Sequence, residues 1–171
     1  MKSRRDTIRI LVSWKCNLKC DYCCNEQERF RKDILPVKLD AIDFSNYENV
    51  CISGGEPLLH LERVVEVMQA AKGKFQILYT NGLLLNNDIV KVLEEGGVKA
   101  VNIGLHYPSS FSRIINKAGE SFNESSISVR FHVWEKYRHM VLEKEIGPRF
   151  GIKYWQMDDC ERENEDRVVL I

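Results

Sequence analysis

Three cysteines, Cys16, Cys20 and Cys23, stand in the pattern C-x3-C-x2-C within the stretch SWKCNLKCDYCCNE, and Cys24 adjoins the last of them. Short spacing in one segment lets several thiolates converge on one soft metal centre. A structural zinc site takes four ligands, usually as two separated pairs. No second C-x2-C pair occurs here, and Cys51, Cys160 and His60 stand singly. A four-iron cluster takes four cysteines, so three would leave one iron open to an exogenous ligand. A second stretch, SGGEPLL at 53–59, combines Gly54 and Gly55, which allow close backbone approach, with the carboxylate of Glu56 and with Pro57, which fixes the turn.

These groups need a frame, and the sequence alternates apolar strands with amphipathic helices. Strand-like runs rich in β-branched and aromatic residues occupy 7–13, 49–53, 74–80, 98–106, 126–134 and 152–157. Between them, apolar residues recur at three and four: Leu61, Val64, Val65 and Met68; Ile89, Val92 and Leu93; Phe111, Ile114, Ile115 and Ala118. Asn86 or Asn87 and Ser109 or Ser110 are the expected N-caps, and Gly96 and Gly119 the expected stops. A further helix is expected over 134–146, and a loop with a short helix before residue 49.

Strand, helix, strand with right-handed crossovers predicts a parallel sheet, here an α/β open partial (β/α)6 barrel with helices outside. One domain is expected over 1–171, with its core at about 7–157 and a tail at 158–171. Ligands bind at the carboxyl ends of such strands, and every singled-out residue falls there. Strand five alternates Val129, Phe131 and Val133 with Ser128, Arg130, His132 and Trp134, which predicts one face toward the helices and a polar face toward the lumen.

The segment CNLKCDYC at 16–23 resembles the signature of the radical S-adenosylmethionine family, and SGGEPLL resembles the motif that follows strand two in that family. The resemblance implies that Cys16, Cys20 and Cys23 ligate a [4Fe–4S] cluster whose open iron takes S-adenosyl-L-methionine. It implies reductive cleavage to a 5′-deoxyadenosyl radical that abstracts a hydrogen from a substrate. By the same resemblance, Tyr22 helps hold the adenine, Gly54, Gly55, Glu56 and Pro57 cradle the methionine part, and Thr80 and Asn81 in YTNG contact methionine or ribose. Arg130 is the expected partner of the cofactor carboxylate, and Asn102 or His106 that of the ribose, where many relatives carry Ser or Asp.

His106, Tyr107, His132, Trp134, Gln156, Asp158, Asp159 and Cys160 lie at the ends of strands four to six, where substrate should sit, and Cys160 is the candidate hydrogen donor. Cys24 and Cys51 read as structural. The reading is of a small form without an auxiliary cluster domain, which brings in glycyl-radical activating enzymes and 7-carboxy-7-deazaguanine synthases as alternatives within the family. Cys24 and Asn25 depart from the Asp-Thr usual in the latter. From other classes come a zinc-stabilised binding module and a scaffold that regulates a partner.

With no second cluster or flavin motif, the electron would come from a flavodoxin or a ferredoxin-type donor. Twenty-five basic and 25 acidic residues leave no net field for nucleic acid. The first apolar stretch is broken by Ser13 and Lys15, and no later run spans a bilayer, so a cytoplasmic location and no membrane contact are expected.

Overall fold

A computed structural model describes residues 6–23, 25, 34–141, 146–156 and 167–171. Its strands are β1 (Thr7–Leu11), β2 (Asn49–Ser53), β3 (Phe75–Thr80), β4 (Val98–Leu105), β5 (Ser128–Trp134), β6 (Gly151–Trp155) and β7 (Arg167–Leu170). They form one sheet in the order β6-β5-β4-β3-β2-β1-β7, every neighbouring pair parallel. Three helices, α1 (Leu61–Ala70), α2 (Asn87–Glu95) and α3 (Phe111–Ser121), cross between β2 and β5.

The alternation on β4 and β5 has the expected consequence. Val101, Ile103, Leu105, Val129, Phe131 and Val133 are buried under the helices, while Asn102, Gly104, His132 and Trp134 are half-buried and Arg130 is exposed on the other face. The expected stripe of α3 is buried in full. On α1 and α2 the most buried positions are Val64, Val67, Met68, Val90 and Leu93, with Leu61, Val65, Ile89 and Val92 packed at the margin. Burying a large aliphatic side chain contributes about 1.5–3 kcal/mol, so these faces outweigh the few tenths set by local propensity.

Three local expectations are corrected. The sheet has seven strands among the described residues, not six, because Arg167–Leu170 within the expected tail pairs with β1 on the side away from β2. Ile171 donates its N–H to the Leu11 carbonyl, and the Arg63 guanidinium donates to the carbonyls of Val12 and Ile171. Four residues carry too little alternation to be told from a loop; their pairing comes from contacts with β1. Residues 135–140 form a 3-10 turn in place of the start of an α-helix. There Arg138 pairs with Glu135 three residues earlier, the spacing that a 3-10 turn brings into line. Before β2 the described chain makes two 3-10 turns, Leu39–Ala41 and Phe44–Asn46.

Gly119 does not stop α3, which continues to Ser121 because Ser121 and Phe122 are drawn into the core. A Cβ at Gly119 would meet nothing within 4 Å. Gly119→Ala is therefore expected to stabilise the chain by about 0.5–1 kcal/mol, read as a higher denaturant midpoint with unchanged slope. Asn86, by contrast, caps as expected, its side chain accepting from the Ile89 N–H.

Candidate active site

The cysteine loop leaves the carboxyl end of β1 and is held to the end of β2 by a run of backbone hydrogen bonds. Val12 N–H donates to the Ser53 carbonyl, Gly55 N–H to Ser13, and Glu56 N–H to Lys15, at 3.0, 2.8 and 2.8 Å. The strand pairing thus runs on past both strand ends, into the two motifs. Two glycines permit it. A Cβ at Gly54 would lie 2.5 Å from the Ser13 oxygen, and one at Gly55 would lie 2.1 Å from the Lys15 oxygen and 2.6 Å from that of Trp14. Gly54 also has φ +146, which side chains rarely adopt. The close approach expected of these glycines toward a ligand is, in the chain itself, an approach to the cysteine loop.

Glu56 likewise has a task that sequence reasoning missed. The residue is fully buried, and its carboxylate accepts from the Leu58 N–H at 3.1 Å, the Thr80 hydroxyl at 2.7 Å and the Asn81 N–H at 2.7 Å. It thereby caps the 3-10 turn Pro57–His60 and ties the end of β2 to the end of β3. Burial raises its pKa while the three donors pull it back. Pro57 is buried at the first position of that turn.

Asn81 carries the tie onward. Its side chain donates to Asn17 Oδ1 at 2.7 Å, lies 4.0 Å from the Cys16 sulfur, and accepts from the Leu83 N–H. Thr80 Oγ1 accepts from the Gly82 N–H, closing the turn after β3. Asn25, just past the third cysteine, donates to the Gly54 carbonyl at 2.5 Å.

Cys16, Cys20 and Cys23 are free thiols, the first exposed and the others half-buried. Burial raises the pKa of Cys16 and lifts that of Cys20 to about 11; Cys16 also feels the charge of Cys23, and Cys20 that of both other cysteines. The three thiols are near enough to interact electrostatically, yet among the described residues no three Cys, His, Asp or Glu side chains are gathered tightly enough for a single metal ion. Three thiols on one loop are the donor type that an iron–sulfur cluster takes. Cys51 is buried on β2, as expected of a structural cysteine. Cys24, Asp158, Asp159 and Cys160 lie outside the described residues.

Tyr22 is buried, its hydroxyl donating to the His106 carbonyl at 2.5 Å. Its ring packs 4.2 Å from Trp134 and within 6.3 Å of Tyr137 and Trp155. This cluster fastens the cysteine loop to the ends of β5 and β6, and the Tyr107 hydroxyl adds a bond to the Lys19 carbonyl. His106 folds back over Gly104, where a Cβ would sit 2.4 Å from its Nε2. Burial holds His106 and His132 neutral, with pKa values near 4. Asn102 lies in register between Tyr79 and Arg130, on the face opposite the helices. Sequence reasoning did not reach Asn17, Tyr137, Trp155 or Gly104, whose parts depend on distant neighbours; adjacency to the third cysteine could have pointed to Asn25.

The model of the Radical SAM superfamily matches residues 10–126. The chain belongs to the radical SAM superfamily. It is similar to a GTP 3′,8-cyclase of Microcystis aeruginosa, 30% identical over 131 residues, which cover 68% of this chain and 40% of that protein. An uncharacterized protein of Methanocaldococcus jannaschii is 34% identical over 148 residues, covering 83% and 48% of the two chains. The chain thus spans less than half the length of these curated relatives. Among solved structures, Streptococcus suis SuiB bound to its precursor peptide SuiA matches with a TM-score of 0.56 at 16% identity, over 95% of this chain and 48% of that one. Escherichia coli coproporphyrinogen III oxidase matches with a TM-score of 0.56 at 12% identity, over 92% and 46%. These two show a shared fold.

The family uses a [4Fe–4S] cluster and S-adenosylmethionine, and the residues present fit them. One loop offers three free thiols, clamped by glycines that admit no side chain, at the carboxyl edge of the sheet. Among the described residues no helix is long and apolar enough to cross a membrane.

Proposed function

We propose that Cys16, Cys20 and Cys23 hold a [4Fe–4S] cluster and that the chain forms the radical-generating part of a radical S-adenosylmethionine enzyme. When bound, the cluster and S-adenosylmethionine supply the chemistry: one electron cleaves the cofactor to methionine and a 5′-deoxyadenosyl radical, which takes a hydrogen atom from substrate. The observation that carries the reading is the continuous backbone clamp between the cysteine loop and Gly54–Glu56.

The chain's own residues orient and shelter. Glu56 and Asn81 fix three strand ends relative to the thiols, so the cluster ligands and the cofactor cradle move as one body. Tyr22, Trp134, Tyr137 and Trp155 exclude water along one side of the loop, as a reactive alkyl radical requires. The backbone at Gly54 and Gly55 serves the methionine part, Thr80 and Asn81 serve methionine or ribose, Asn102 serves the ribose, and Arg130 serves a carboxylate. Cys160 keeps the role of hydrogen donor proposed from sequence, and an external flavodoxin or ferredoxin-type protein supplies the electron. The GTP 3′,8-cyclases among the relatives make a nucleotide one substrate to test.

The test is anaerobic reconstitution with iron and sulfide, then reduction by dithionite with S-adenosylmethionine present. The wild type is expected to bind about four irons per chain and to release 5′-deoxyadenosine, and Cys20→Ala to do neither. Equal product from both would refute the assignment.

A further inference from the structure

The inner face of the sheet segregates charge. Acidic and basic residues are equal in number over the chain, yet none of the seven strands contains an Asp or Glu. On the face away from the helices, Arg130 and His132 of β5 lie two residues apart, and Lys153 of β6 stands opposite His132 in the register. The stem and Nε of Arg130 run along Gly151, within 3.5–3.8 Å of where a Cβ would stand. From the far side, the Arg9 guanidinium lies 4.4 Å over the Tyr79 ring, whose edge meets His132 at 5.8 Å between centroids. His132 Nε2 is buried and has no hydrogen-bond partner among the described residues. The charges of Lys153, Arg130 and Arg9 all reach this ring and oppose its protonation.

Arg130 and Lys153, both exposed, are like charges brought to one imidazole, and they repel each other. No carboxylate on the strands relieves Arg130 or Lys153. A bound oxyanion would, because a guanidinium fork and an ammonium recognise phosphate or carboxylate oxygens by charge-assisted hydrogen bonds. We propose that this face, deeper along the strands than the cysteine loop, binds a multiply charged anionic substrate through Arg130, Lys153 and the Nε2 edge of His132. This names the substrate class of the proposed enzyme and rests on that reading for its catalytic meaning. Two oxyanions compete for the assignment, a phosphate chain or polycarboxylate on the substrate and the lone carboxylate of S-adenosylmethionine.

Calorimetric titration of the full chain, purified without cluster, separates them. The probes are tripolyphosphate, citrate and S-adenosylmethionine. Tripolyphosphate or citrate is expected to bind, with affinity falling as salt rises. Arg130→Gln and Lys153→Gln are each expected to weaken that binding by about tenfold. Both side chains are exposed in the free chain, so these variants keep the core. Lys91→Gln on the outer surface of α2 is expected to change nothing. The proposal is overturned if neither polyanion binds, if Lys91→Gln weakens binding equally, or if Arg130→Gln weakens only S-adenosylmethionine. Release of 5′-deoxyadenosine by the reconstituted wild type, measured in parallel without polyanion, reports on the radical chemistry alone. Its loss in the wild type would sink the functional reading, while polyanion binding would stand or fall separately.

Discussion

Gly55→Ala is expected to abolish cluster assembly while a control glycine replacement does no harm. The added Cβ would stand 2.1 Å from the Lys15 oxygen, far inside van der Waals contact, and its neighbours are backbone atoms that cannot rotate away. Relief requires breaking the bonds from Gly55 to Ser13 and from Glu56 to Lys15, which swings the cysteine loop off the end of β2. Overpacking of this kind costs about 1–3 kcal/mol, a loss the fold can survive. Misplacing reactive groups by about 1 Å costs on the order of 10²-fold in rate. Iron content, the absorbance of the reconstituted protein and 5′-deoxyadenosine release are therefore expected to fall together. Gly119→Ala, with open space around it, should reconstitute as the wild type does. A Gly55→Ala protein that kept its iron and lost only affinity for S-adenosylmethionine would show that the glycine serves the cofactor and not the loop.

Glu56 gives the second large effect, and it separates two roles for one carboxylate. Had its main partner been an ammonium group of the cofactor, replacing it would leave the cofactor-free chain as stable as before. The structure instead sets three donors on it from two strand ends. Glu56→Ala is expected to strand those donors and lower unfolding free energy by about 3–5 kcal/mol in the cofactor-free chain. Glu56→Gln keeps the shape but turns an amide group toward one of these N–H or O–H donors, and an intermediate loss of about 1–3 kcal/mol follows. Urea denaturation checks both, and unchanged midpoints would return Glu56 to the ligand. Because burial raises its carboxyl pKa, the native state holds a proton more readily than the unfolded chain just above the ordinary carboxylate range. Stability from this group therefore declines as pH rises through that window, and Glu56→Gln should flatten the decline.

Much of this was legible in one dimension. The period-two alternation of SVRFHVW foretold which side of β5 meets helices, since side chains on a strand can only alternate. The stripe on α3 did the same at period 3.6, and all four of its apolar positions are buried. Cys16, Cys20 and Cys23 were recognisable as a group because thiols offered by one loop are close in sequence by necessity. The seventh strand was not, because RVVL has no pattern of its own and becomes a strand only where β1 offers an unpaired edge. Gly104 was equally silent, since its need arises from a histidine folded back across it.

The first six strands, the three thiols and the two glycines were thus written in the sequence, because local periodicity and short spacing carry that information. Which partner each motif keeps was decided only in three dimensions. Gly55 against Lys15, Glu56 against Asn81 and Lys153 opposite His132 are pairs separated by between 21 and 40 positions or by a whole strand crossover. Chain neighbours cannot specify such meetings; parallel pairing can, because its fixed register carries each strand end to the same edge of the sheet.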